Sequence, residues 1–177
     1  MCSRSAKNEI LKFYINSGED IWITVHGPSM FPILQENNKI HIRKIEKIRI
    51  GNIIVFSFNN VLVAHRIIGV NEQQQTVITM GDDVPAIDGN IPFNDILGEV
   101  DLFVGNNGKV YNMDDLKLYN FLSTKLSIFI SIFTTEKEEY KISNIFGIKR
   151  SKLVIWVMKK IYNWELEKKT NEEKYKI

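Results

Sequence analysis

The sequence predicts a mainly β domain that carries a helical extension at its carboxy-terminal end. Three observations point there. Over roughly the first 110 residues, short β-branched and aromatic runs alternate with Gly, Pro and Asn turn signals. After about residue 112 the apolar residues recur instead at helical spacing. The chain's 177 residues, 44% hydrophobic and 25% charged, suffice for one domain with a real core plus an appendage. We therefore divide the chain into 1–110, a β domain with a short amino-terminal helix, and 111–177, a helical extension.

The elements follow in order. Residues 6–16 pattern as a short helix closed by Ser17-Gly18. Ile21 to Val25 is a strand by its β-branched and aromatic content, and Lys39 to Arg43 alternates weakly as another. Ile53 to Phe58, Asn59-Asn60 and Val61 to Val70 read as a β-hairpin with a two-residue turn. Thr76 to Met80 is a short strand before a turn rich in aspartate. Ile96 to Val104 is a further strand, ended by Gly105-Asn106-Asn107-Gly108. Residues 114–133 place Leu116, Tyr119, Leu122, Leu126, Phe129, Ile130 and Phe133 on a helical period. Residues 151–168 form a basic amphipathic helix with aromatics near both ends.

Charge and cysteine content exclude several classes. A net charge of +2 and a pI near 8.5 are too mild to argue for nucleic acid as a partner. The acids cluster between Asp82 and Asp115, and a lysine-rich stretch runs from Lys149 onward. Ordinary solvation of a helix face accounts for such a stretch, and packing of 151–168 on the β domain is as natural as a peripheral membrane contact. One cysteine, Cys2, excludes an internal disulfide framework and a cysteine-based metal site. The amino-terminal residues show neither a signal-peptide core nor a spanning helix, and the later apolar segments fall short of one. The expectation is a cytoplasmic chain, peripheral at a membrane if residues 151–168 touch one, with no cofactor or metal.

The chemistry concentrates in four strings: Gly27-Pro28-Ser29-Met30-Phe31-Pro32, Gly51-Asn52, His65-Arg66-Ile67-Ile68-Gly69, and Gly81-Asp82-Asp83 with Asp88 close behind. One serine sits in a rigid Gly/Pro frame, one histidine in an apolar strand, and aspartates in a turn. These are the residue types a serine hydrolase needs: a nucleophile, a base and a group that orients the base. Each has a plainer explanation alone. Gly-Pro-Ser is common turn chemistry, a strand histidine is usually structural, and Asp-Gly clusters make turns.

Together the strings resemble the signal peptidase I and LexA-like superfamily of serine peptidases. His65 stands where bacterial signal peptidases carry lysine, which resembles the histidine-base branch of the endoplasmic-reticulum and archaeal type. The resemblance covers about residues 21–105. It implies a mostly β catalytic domain, Ser29 as nucleophile and His65 as general base, with Asp88 or Asp82 orienting the imidazole. Neutral imidazole can accept a serine proton at neutral pH. The resemblance also implies a groove that binds the substrate as an added strand, with Gly27, Met30, Ile33 and Val63 along it. Two departures stand out. Gly27 replaces a serine whose hydroxyl supports the oxyanion hole in many signal peptidases, and Asn52 replaces the usual aspartate. His26 lies close to Ser29 in sequence and is expected to be structural or substrate-lining.

The expected function is therefore a serine endopeptidase that removes a leader or signal segment from a peptide or protein precursor. A catalytically inactive peptide-binding module on the same fold is one alternative. A LexA-type self-cleaving regulator is another, but it needs a DNA-binding module that the 20 or so residues before the first strand are too few to form. Its base is also lysine.

Overall fold

Alternation inside the apolar runs builds a sheet that is buried on both faces. In the computed structural model, which describes residues 4–58, 61–84, 86–132 and 152–174, eight strands form one antiparallel sheet. They are β1 (Ile21–Thr24), β2 (Lys39–Arg43), β3 (Ile53–Phe58), β4 (Val61–Asn71), β5 (Thr76–Met80), β6 (Ile87–Pro92), β7 (Ile96–Val104) and β8 (Val110–Asn112). Their spatial order is β1-β2-β7-β3-β4-β5-β6, with β8 paired to the free side of β7's carboxy-terminal half at Leu102, Phe103 and Val104. The fold is thus mainly β, as the sequence predicts.

Central β3 shows how the two faces arise. Successive strand residues point to opposite sides. Ile53 and Val55 enter a core with Ile40, Ile42 and Phe103, while Ile54 and Phe56 enter a second core with Ile67, Val77 and Ile91. All four β3 residues are buried, and each buried side chain of this size contributes roughly 1.5–3 kcal/mol.

Helices close the first core. Helix α1 (Arg4–Asn16) contributes Ile15, α2 (Lys117–Ser131) contributes Tyr119, and α3 (Lys152–Lys174) contributes Met158 and Tyr162. Gly18, with φ +79°, ends α1 in the left-handed region that only glycine enters freely. Helix α2 begins after a 3-10 turn at Met113–Asp115, and its first amides are capped from α3. Glu165 Oε1 accepts from the Leu118 N–H at 2.8 Å and Oε2 from the Tyr119 N–H at 2.9 Å. A carboxylate at a helix amino terminus satisfies unpaired donors and complements the helix dipole.

Two strands depart from the sequence expectation. β6 occupies the stretch read as an aspartate turn, and β8 occupies Val110–Asn112. Gly89, with φ +85°, explains the first. Asp88-Gly89-Asn90 has turn composition, yet its backbone pairs with β5 across a register shift between Ile78 and Met80. Helix α3 also runs beyond residue 168, to Lys174. The Asn59-Asn60 turn and Cys2 lie outside the described residues.

Candidate active site

His65 and Arg66 are neighbours on β4 and therefore face opposite sides of the sheet. His65 shares its side with Val63 and Ile67, and its ring meets the Phe56 ring edge-on at 6.3 Å between centroids. Arg66 points to the other side, towards α2, where Nη1 donates to Asn120 Oδ1 at 3.1 Å and to the Gly51 carbonyl at 2.9 Å.

This divergence separates the two aspartates that the sequence left as alternatives. His65 Nδ1 lies 2.5 Å from Asp88 Oδ2, with side-chain exposures of 9% and 6%. Thr79, fully buried, donates its hydroxyl to the same carboxylate oxygen at 2.9 Å. Asp82 belongs to Arg66 instead. Nε and Nη2 of Arg66 reach its two oxygens at 2.8 Å each, and the Tyr119 hydroxyl donates to Oδ2 at 3.1 Å. Burial opposes the Arg66 charge, but the Asp82 carboxylate holds its pKa above the ordinary guanidinium value. Burial first, and then the Asp82 charge, push the Tyr119 phenol well above its usual value.

With Nδ1 donating to a carboxylate, neutral His65 keeps its lone pair on Nε2. That nitrogen faces the Ser29 turn. A Cβ built on Gly81 would stand 3.0 Å from His65 Nε2 and 2.6 Å from the Ser29 carbonyl oxygen. The two atoms are thus no farther apart than those distances laid end to end. Gly81 is the spacer that lets the turn and the imidazole approach, and the Asp83 N–H donates to the Ser29 carbonyl at 2.8 Å to hold the turn in place.

The turn itself is braced from within. Gly27 has φ +89°, and the space its side chain would occupy is open. Its N–H donates to Glu36 Oε2 at 2.5 Å, and Glu36 Oε1 meets His26 Nδ1 at 3.2 Å. The Gly27 N–H and then His26 draw the Glu36 pKa below the ordinary carboxylate value. His26 is three-quarters exposed and engaged with Glu36. Phe31 N–H donates to Pro28 O at 2.9 Å, closing the turn around half-buried Ser29.

Other expected site residues lie elsewhere. Met30 and Ile33 are 2% and 0% exposed and belong to the first core, so they support the Ser29 turn from below and do not line an open groove. Met30 Sδ accepts from the Asp82 N–H at 3.4 Å, tying the turn to the β5–β6 connection. Val63 is half-buried on the His65 side of β4. Asn52 donates to the buried Glu99 carboxylate, which also takes Arg43 Nε at 2.9 Å. A second histidine–aspartate pair, His41 Nδ1 to Asp101 Oδ1 at 2.6 Å, sits on β2 and β7, which lie three and two places from β4 in the sheet order.

Sequence reasoning missed Thr79, Glu36 and the spacing role of Gly81. Thr79 is a polar residue within a short apolar strand, two positions before Gly81, and that was its available signal. Among the described residues, no group of three or more His, Cys, Asp or Glu side chains is placed to hold a metal ion.

No curated protein matches the chain. The model of the family described as peptidase S24-like matches residues 5–100, which include Ser29, His65 and Asp88 and span more than half of the chain. The eight-stranded antiparallel sheet agrees with that family's β fold, and the chain belongs to the peptidase S24-like family.

Proposed function

We propose that this protein is a serine endopeptidase that cleaves a leader or signal segment from a peptide or protein precursor, using Ser29, His65 and Asp88. The observation that carries the reading is the polarity of His65. Asp88, itself held by the Thr79 hydroxyl, engages its Nδ1 side, and its Nε2 side is turned to the Ser29 loop across Gly81.

In this mechanism Nε2 takes the Ser29 hydroxyl proton as Oγ attacks the scissile carbonyl. The imidazolium that forms is stabilised by the Asp88 carboxylate and then protonates the leaving amine. The acyl-enzyme on Ser29 is released by water through the same base. The Ser29 N–H is the backbone donor assigned to the oxyanion, because Pro28 has none and the Gly27 N–H is engaged by Glu36. Open space beside Gly27 gives an extended peptide room to approach the turn.

Co-expression of precursor peptides with wild type and with Ser29→Ala, followed by intact-mass analysis, tests the reading. A truncation seen with wild type alone supports it and locates the cleaved bond. Equal truncation with the Ser29→Ala protein removes Ser29 from the mechanism, and intact precursor with both proteins favours a peptide-binding module.

A further inference from the structure

Helix α3 has an inner face whose orientation is fixed and an outer face that is unusual for a solvated helix. Met158, Tyr162 and Glu165 are buried, and the two Glu165 bonds to the α2 amides lock the helix about its axis. On the opposite side Leu153, Trp156, Val157 and Trp164 are 69%, 58%, 38% and 53% exposed. At about 100° per residue these four fall within an arc of roughly 100°. Two half-exposed tryptophans on one rigid face form an apolar patch of the kind that marks a contact surface.

The charges around the patch identify what it meets. Each tryptophan has a lysine four residues on, with its ammonium against the indole: Lys160 over Trp156 and Lys168 over Trp164, each 5.7 Å from the ring centroid. Along the exposed side of residues 152–168, Lys152, Lys159, Lys160 and Lys168 stand against Glu167. Indoles at the level of lipid headgroups, with lysines reaching past them to phosphates, are the pattern of an interfacial helix on an anionic bilayer. No helix of the described residues is long and apolar enough to cross a membrane, so this face would lie on the surface.

We infer that the outer face of α3 docks on the surface of an anionic lipid bilayer through Trp156 and Trp164, with Lys160 and Lys168 facing the lipid phosphates. The same helix adjoins the Ser29 turn. Val154 and Met158 line a crevice with Phe31 and Pro32, and Lys159 Nζ stands 5.9 Å from the Phe31 ring centroid. Because these contacts lie on the inner side of α3, docking through the outer face leaves the Ser29 turn on the far side of the helix from the lipid, about one helix diameter away.

Vesicle co-flotation of the full chain tests the inference, with phosphatidylcholine vesicles compared against phosphatidylcholine–phosphatidylglycerol mixtures. Binding is expected on the mixed vesicles and to weaken as salt rises. The Lys160→Gln/Lys168→Gln protein should bind about fivefold more weakly for each cation removed. Trp156→Ser/Trp164→Ser should lose binding while keeping the wild-type circular dichroism spectrum, because both side chains are largely exposed. Ser29→Ala should bind as wild type does, which separates docking from catalysis. Absence of binding to the mixed vesicles at low salt would overturn the inference, as would wild-type binding by the tryptophan double variant. A wild-type dimer in solution that the tryptophan variant cannot form would also overturn it and assign the face to a second copy of the chain.

Discussion

Arg66 and Asp82 form a two-pronged ion pair whose side chains are 0% and 1% exposed. One residue earlier on the same strand, His65 takes Asp88. The alternation of β4 thus sorts two nearby aspartates into a buried structural pair and a pair at the candidate active site.

The two aspartates should therefore fail differently. Asp82→Asn leaves a buried guanidinium without its counter-charge and should cost about 3–5 kcal/mol of stability. Asp88→Asn should keep the fold and lower kcat by about 10⁴-fold, the scale seen when a triad aspartate is lost. Urea denaturation and precursor cleavage, measured on both proteins, check the split. Equal loss of stability in the two variants would contradict it.

Gly81 should be intolerant of the smallest side chain. A Cβ there meets the Ser29 carbonyl at 2.6 Å and His65 Nε2 at 3.0 Å, so the turn or the ring must move. A displacement near 1 Å costs about 10²-fold in rate. Gly81→Ala should show that loss in kcat, with destabilisation of about 1–3 kcal/mol from overpacking. Kinetics on the folded variant decide the point; an unchanged kcat would mean that Gly81 does not set the approach of base and nucleophile.

Glu165 should matter for stability although it lies far from Ser29 in sequence. Glu165→Ala removes the acceptor of two α2 amides, one of them buried, and should cost about 2 kcal/mol. Its urea midpoint should fall while the slope is unchanged.

Alkali should weaken the fold through buried tyrosines. Burial raises the Tyr162 pKa, with a smaller push from Tyr111, and Tyr119 is raised well above its usual value. A raised folded pKa means that the unfolded chain loses its proton first. Stability from these groups is complete below the ordinary value of 10 and declines as pH climbs towards the folded value. Tyr162→Phe should flatten that decline. Urea midpoints at a series of pH values above neutrality provide the measurement.

Much of this was legible in the residues. β2 alternates weakly, β3, β5 and β7 are rich in apolar and β-branched residues, and all four form where the pattern puts them. β6 was not legible, because Asp88-Gly89-Asn90 favours a turn locally and only pairing with β5 makes it a strand. The choice between Asp82 and Asp88 was hidden for the same reason: without β6, Asp88 has no defined position opposite β5. Met30 and Ile33 illustrate a different gap. Their apolar character fits a groove or a core equally, and the packing of α2 and α3 on the first core decides for burial. Helix α3 ran past its expected end because its last residues are charged and give no apolar period to read.

The most direct test of the central claim is cleavage of one defined precursor by wild type, Ser29→Ala and His65→Ala, with folding of all three confirmed by circular dichroism. The account predicts that both substitutions abolish cleavage while the spectra stay unchanged. Wild-type cleavage by the folded His65→Ala protein would contradict it.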